Sequence, residues 1–219
     1  MKLSSLFPVV LSLTFVFLCS SAFAGGIGWE AEDFVAITAP QEVFDDDANA
    51  SGGKYVTSLT SNEGSVEYEF EVPADGTYFM WAYHLSIDSG RNSCYLVIDD
   101  PASPLDNADL VWDTILEPQP RQLGEEVDIE NVDTYELDWS WIRVFGRGGG
   151  LWNILKIRTF DLSAGVHKMY IWTREREAKI DCYYLTNDFN EQPVFPDQVM
   201  GFAAVDPAKK LAITWGSLK

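Results

Sequence analysis

The 219-residue sequence carries 34 Asp and Glu against 15 Lys and Arg, a formal net charge of −19. That excess counts against nucleic acid and anionic lipid as partners, because both are held by clustered Lys and Arg. It fits a solvated acidic surface, cation binding and repulsion from acidic polymers.

Residues 1–24 read as a secretory signal peptide. Lys2 gives a positive start, residues 6–18 are mostly apolar, and Ala22-Phe23-Ala24 places small residues where a signal peptidase reads them. Cleavage is expected after Ala24, with export to the extracellular or periplasmic space. The stretch is too short and wrongly flanked for a membrane span. Cys19 lacks the preceding small residue of a lipidated cysteine. No other run is apolar enough for insertion into a bilayer. The remainder is long enough for one well-cored β domain, 25–190, followed by a C-terminal extension, 191–219.

The domain opens with a short strand over 29–34, where Glu30 and Glu32 share one side. The loop 45–53 imitates the start of an EF-hand with Asp45, Asp47 and Asn49, then fails, with Ala50 where Gly is needed and Val56 where the bidentate Glu should be. Residues 65–72 give the clearest alternation: Val66, Tyr68, Phe70 and Val72 against Glu67, Glu69 and Glu71. Pro73-Ala74-Asp75-Gly76 turns the chain into an aromatic strand, 77–85. Another strand is expected over 93–99. Residues 100–138 hold four prolines and one base, Arg121, and read as a long acidic loop insertion. Trp112 lies in it, and Trp139 and Trp141 at its exit. Gly146-Arg147-Gly148-Gly149-Gly150 is a flexible turn with no phosphate-binding pattern after it. A strand resumes over 151–160. Residues 166–173 and 180–186 both alternate and flank Arg174-Glu175-Arg176-Glu177, which reads as the last hairpin, with Arg174 and Glu175 as a turn ion pair. It ends on Thr186-Asn187-Asp188, a polar edge. Residues 209–219 have the composition of one more short strand. About eight or nine strands separated by turn chemistry predict an all-β antiparallel β-sandwich.

Only Cys94 and Cys182 survive processing, each among apolar neighbours. In an oxidising compartment two cysteines can form a disulfide. A Cys94–Cys182 bridge and two separate buried thiols both fit the sequence.

Several segments together carry a family likeness. Glu30-Ala31-Glu32, then Ala50-Ser51-Gly52-Gly53-Lys54-Tyr55-Val56, then residues 180–188 resemble family 6 and family 35 carbohydrate-binding modules. The Pro73-Ala74-Asp75-Gly76-Thr77-Tyr78 turn, Asn92-Ser93 and Leu162-Ser163-Ala164-Gly165-Val166-His167 fit the same order. No one motif is specific; their sequence along residues 29–188 makes the resemblance. It implies a jelly roll that binds polysaccharide or another glycan. It also implies a structural Ca²⁺ held by Glu30, Glu32, Ser51, the backbone around Gly53 and Lys54, and Asp188. Hard oxygen donors from distant segments suit that ion. The sugar site would lie on loops at one end of the sandwich, with Trp112, Trp139 and Trp141 as stacking rings and Arg91 and Asn92 as hydrogen-bonding groups. Trp139 and Trp141 are two apart, so they share a face, and that face is either core or site.

The reading is therefore a secreted, non-catalytic carbohydrate-binding protein. The alternative is an extracellular assembly protein that self-associates through its C-terminal tail by strand addition. An enzyme is the weakest reading. Glu125-Glu126 and Asp99-Asp100 are adjacent pairs that point apart on an extended chain, and neither His84 nor His167 has a nucleophile motif beside it.

Overall fold

The computed structural model describes residues 26–103, 107–114, 120–128, 138–147 and 153–193. The expected signal peptide, and the C-terminal extension beyond residue 193 with its expected strand, lie outside the described residues.

Fifteen strands are described, with two single-turn 3₁₀ segments, Ser51–Gly53 and Ala108–Leu110. They are β1 (Ile27–Glu30), β2 (Ala36–Thr38), β3 (Gln41–Phe44), β4 (Tyr55–Ser58), β5 (Ser65–Val72), β6 (Gly76–Leu85), β7 (Ser93–Ile98), β8 (Val111–Asp113), β9 (Val127–Asp128), β10 (Ser140–Arg143), β11 (Phe145–Arg147), β12 (Ile154–Ile157), β13 (Phe160–Leu162), β14 (Gly165–Thr173) and β15 (Lys179–Thr186). One sheet of seven runs β10-β6-β15-β4-β3, with β1 beside β15 and β13 beside β6; one of five runs β2-β5-β14-β7-β8; a small sheet of three runs β11-β12-β9. Every pairing is antiparallel. No described helix is long and apolar enough to cross a membrane.

The two large sheets pack face to face. Val66, Tyr68, Phe70 and Val72 from β5 meet Met80, Ala82, Tyr183 and Leu185 from β6 and β15 in one buried cluster, while Glu67, Glu69 and Glu71 take the other face of β5. Aromatic rings join the sheets: Trp29 stacks on Phe70 with centroids 5.3 Å apart, and Tyr183 meets Tyr68 edge-on at 5.1 Å. The Tyr68 hydroxyl donates to the Ala31 carbonyl across the gap, 2.9 Å.

One expectation needs correction, and one open alternative is decided. The segments 166–173 and 180–186 do not form a hairpin. β14 pairs with β5 and β7 in the five-stranded sheet, whereas β15 pairs with β1, β4 and β6 in the seven-stranded one. The charged turn is an arch from one sheet to the other, and Arg174 and Glu175 do pair in it, 2.6 Å. Cys94 and Cys182 are both free and buried. Cys94 lies in the core between the sheets, and Cys182 lies on the outer face of the seven-stranded sheet with Trp81 and Tyr184. A whole sheet separates them, so no bridge can form. Among its described residues the expected insertion also contributes short strands. It gives β8 to the edge of the five-stranded sheet beside β7, and Arg147 on β11 forks onto Asp113 with Nε–Oδ2 at 2.7 Å and Nη2–Oδ1 at 2.8 Å.

Candidate functional site

Two features stand out on the seven-stranded sheet: a cluster of carboxylates where β1 meets β15, and an aromatic outer face.

The carboxylate cluster is made by a β-bulge. Ile180 faces His84 and Cys182 faces Tyr83, so Asp181 is the extra residue between them. A bulge re-aims one side chain without disturbing the rest of the strand. Asp181 is fully buried, yet its Oδ2 accepts from the Ser51 N–H at 2.6 Å. Ser51 in turn donates from its hydroxyl to Glu30 Oε1 at 3.0 Å, and the Cys182 thiol donates to Glu30 Oε2 at 3.0 Å. One oxygen each of Glu30 and Asp181 and the Cys182 sulfur lie within 4.8 Å of one another. Burial, opposed by the Ser51 N–H and reinforced by Glu30, pushes Asp181 up to about 7. Burial is also the main cause that raises Glu32, to which Glu30 adds. Burial raises the Cys182 thiol well above its ordinary value, so it stays a neutral donor.

These residues fit a hard divalent cation. Glu30, Glu32, Asp181 and the Ser51 hydroxyl are oxygen donors from three separate segments. Asp181 Oδ1 and Glu32 Oε2 are buried without a hydrogen-bond partner among the described residues. Burial, with Glu30 nearby, raises Asp181 and Glu32, and a cation would offset both the burial and the repulsion. Two residues of the expected metal set stand differently. Asp188 is exposed and accepts from the Asn190 N–H. Glu30 lies opposite Cys182, so Asp188 is six positions further along the chain, about 20 Å for an extended strand. Asp181 is the acid of β15 that lies beside Glu30 instead. Lys54 has an exposed side chain whose charge acts on Glu32, and its N–H donates to the Ser51 carbonyl at 3.2 Å.

The aromatic face follows from strand parity. On β6 the residues Phe79, Trp81 and Tyr83 point away from the core that holds Met80 and Ala82. Trp141 pairs with Tyr83 across β10, and Arg143 with Trp81. Tyr83 therefore sits between two indoles, Trp139 at 5.7 Å and Trp141 at 5.4 Å. Tyr184 meets Trp141 edge-on at 6.5 Å. The Arg143 guanidinium lies between Trp81 and Phe189, 4.5 and 4.3 Å from the ring centres. Trp141 and Tyr83 are half-buried. The indole N–H groups of Trp81 and Trp141 have no acceptor among the described residues.

The five expected sugar contacts are thus dispersed. Trp139 and Trp141 do share a face, and it is the outer one. Trp139 is nonetheless 8% exposed, its N–H donates to Asp47 at 3.0 Å, and it packs over Tyr55. The EF-hand-like loop has its own work: Asp46 accepts from Tyr55, Asp47 from Trp139 and Asn49. Trp112 is 0% exposed in the main core, so no ring face is open to a sugar. Asn92 is buried; its carbonyl accepts from the Thr114 N–H and hydroxyl, and its N–H donates to Glu175. Arg91 is held by Asp88 and Glu177. These two residues tie loops together. Trp81, Tyr83, Tyr184 and Asp181 were missed. The signal for Asp181 was an acid at core parity in an otherwise apolar strand.

No protein-family model matches the sequence, and no curated protein matches it. Solved structures are similar to it. The GH26-CBM35 β-(1,4)-mannanase of Podospora anserina is 16% identical, with 78% of this chain and 29% of that chain covered and a TM-score of 0.48. A family 35 carbohydrate-binding module from Clostridium thermocellum is 13% identical, covering 75% and 100%, with a TM-score of 0.47. The C-terminal CBM6 of LamC, a marine laminarinase from Zobellia galactanivorans, is 11% identical, covering 74% and 98%, with a TM-score of 0.44. The chain spans less than a third of the mannanase. These are likenesses of fold, to family 35 and family 6 modules.

Proposed function

We propose that this chain is an exported, non-catalytic carbohydrate-binding protein stabilised by calcium. The observation that carries the reading is the outer aromatic face. Trp141 and Tyr83 are partly open rings on a rigid sheet, backed by Trp81 and Tyr184. Such rings take the apolar face of a pyranose. Two indole donors there lack acceptors among the described residues, and an unpaired buried donor calls for a bound acceptor such as water or a ligand hydroxyl. Bound Ca²⁺ would supply the positive charge that Glu30, Glu32 and Asp181 share, fixing the bulge of β15 against the Ser51 turn. Export through residues 1–24, with cleavage after Ala24, belongs to the same reading.

A glycan array probed with the chain from Gly25 onward tests it. Binding of a defined glycan should fall about tenfold in Trp141→Ala or Tyr83→Ala, the scale of losing one stacked ring. Trp112→Ala should instead cost about 3–5 kcal/mol of stability, the usual cost of a large core truncation, and leave glycan affinity of the folded fraction unchanged. A folded wild type that binds no glycan sinks the proposal.

A further inference from the structure

The cluster where β1 meets β15 holds one donor that a hard cation does not use. Cys182 stands opposite Glu30 in the register, and its thiol donates to Glu30 Oε2 at 3.0 Å. Calcium takes oxygen ligands, so beside that ion the sulfur is a bystander. Its position is nonetheless that of a ligand. Adjacent residues on a regular strand point to opposite faces. The register break between Ile180 and Cys182 suspends that rule and brings Asp181 and Cys182 to the same glutamate. One oxygen of Glu30, one of Asp181 and the Cys182 sulfur all lie within 4.8 Å of one another. A tetrahedral ion with bonds of about 2.0–2.2 Å to oxygen and about 2.3 Å to sulfur sets its ligand atoms roughly 3.5 Å apart, inside that limit. Among the described residues no other three His, Cys, Asp or Glu side chains converge in this way.

The surroundings also call for a bound ion. Asp181 is fully buried; its Oδ2 accepts from the Ser51 N–H, while its Oδ1 has no hydrogen-bond partner among the described residues. A buried oxygen left in that state needs a ligand or a water. Cys182 is buried too, and it packs against Trp81 and Tyr184. The two rings make one wall of the site apolar, which suits a soft sulfur better than another carboxylate. Cys94 lies in the main core and belongs to no such group.

We infer that this cluster also binds a thiophilic divalent cation of the Zn²⁺ and Cd²⁺ class, with Cys182 as a thiolate ligand beside Glu30 and Asp181. Zn²⁺ accepts Cys sulfur together with carboxylate oxygen in tetrahedral sites. The Ser51 hydroxyl or a water would fill the fourth position. Without a metal the thiol is a neutral donor to Glu30; as the metal–sulfur bond forms, its proton passes to solvent. The place is that of the calcium proposed above, and the sulfur is what sets the two ions apart.

Cd²⁺ titration of the chain from Gly25 onward tests this, with a phosphine as reductant because dithiothreitol binds these metals itself. The readout is the ultraviolet sulfur-to-cadmium charge-transfer band, which oxygen ligands do not give. A band that saturates at a single ion per chain is expected, and excess Ca²⁺ should move its midpoint to higher Cd²⁺. Cys182→Ser should abolish the band, and Cys94→Ala should keep it. Should Cys182→Ser fail to fold, Asp181→Asn keeps the thiol and should raise the midpoint about tenfold or more, the scale for disturbing a metal site. No saturable band from folded wild type, a band that persists in folded Cys182→Ser, a band lost in folded Cys94→Ala, or a midpoint indifferent to Asp181→Asn overturns the inference. A melting temperature raised by Ca²⁺ without any sulfur band leaves the calcium standing and overturns the thiolate site. The sulfur band without any response to Ca²⁺ does the reverse.

Discussion

His167 is held at both ring nitrogens by acceptors. Nδ1 faces an Asp99 oxygen at 2.6 Å and Nε2 the Ser163 carbonyl at 2.8 Å. A neutral imidazole has one N–H and cannot donate to both. Burial alone would lower its pKa, but the Ser163 carbonyl and the Asp99 carboxylate outweigh that, and the net shift is upward. The stabilisation is then fully present below the unfolded value near 6.5 and is lost as pH rises through the higher folded value. Urea unfolding of wild type and His167→Gln tests this. The variant should be less stable by about 1.5–3 kcal/mol at mildly acid pH, the range for a hydrogen bond to a charged group, and the gap should close above the folded pKa. A gap that stays constant with pH would exclude the imidazolium. His84 has the opposite environment: burial depresses it to about 3, so it stays neutral in the core.

Single bonds between elements decide how the insertion and the bulge sit. Asp113 is fully buried on β8 and its carboxylate meets the Arg147 fork from β11. Asp113→Ala leaves that guanidinium without its carboxylate, and should cost about 3–5 kcal/mol, as breaking buried ion pairs does; thermal denaturation reads it. On β15 the bulge brings Asp181 to Glu30 and the Ser51 turn. Ca²⁺ at a hundredfold excess over its dissociation constant should stabilise the fold by about 2.7 kcal/mol. EDTA should remove that gain, and Asp181→Asn should show little of it. A wild-type melting temperature indifferent to Ca²⁺ and EDTA would exclude the metal.

At the level of the whole molecule, the arches matter more than the hairpins. β5 and β6 are joined by a tight turn, as are β14 and β15, yet each pair divides between the two sheets. β1 closes on β15, with Ile27 opposite Leu185. Cys94 and Cys182 end on different faces of this arrangement, both free and buried. Dithiothreitol should therefore leave the melting temperature of the chain from Gly25 onward unchanged, and a thiol reagent should react with both residues only after denaturation. A shift in melting temperature on reduction would contradict the separation.

Alternation was enough to specify the longest strands and to sort their residues onto two faces. Val66, Tyr68, Phe70 and Val72 against three glutamates read as one buried and one wet face, and fold so, because side chains alternate with a period of two on any extended chain. The same period showed that Trp139 and Trp141 share a side. Which side it was, and which strand each strand would pair with, depended on contacts between residues far apart in sequence. Trp112 looked like a loop residue until β8 joined β7 and drew it into the core. Asp181 stood at core parity, and only the register break between Ile180 and Cys182 brought its carboxylate to Glu30 and Ser51. Local periodicity is written in neighbouring residues; register, sheet membership and the meeting of distant carboxylates arise only when the two sheets close over a shared core.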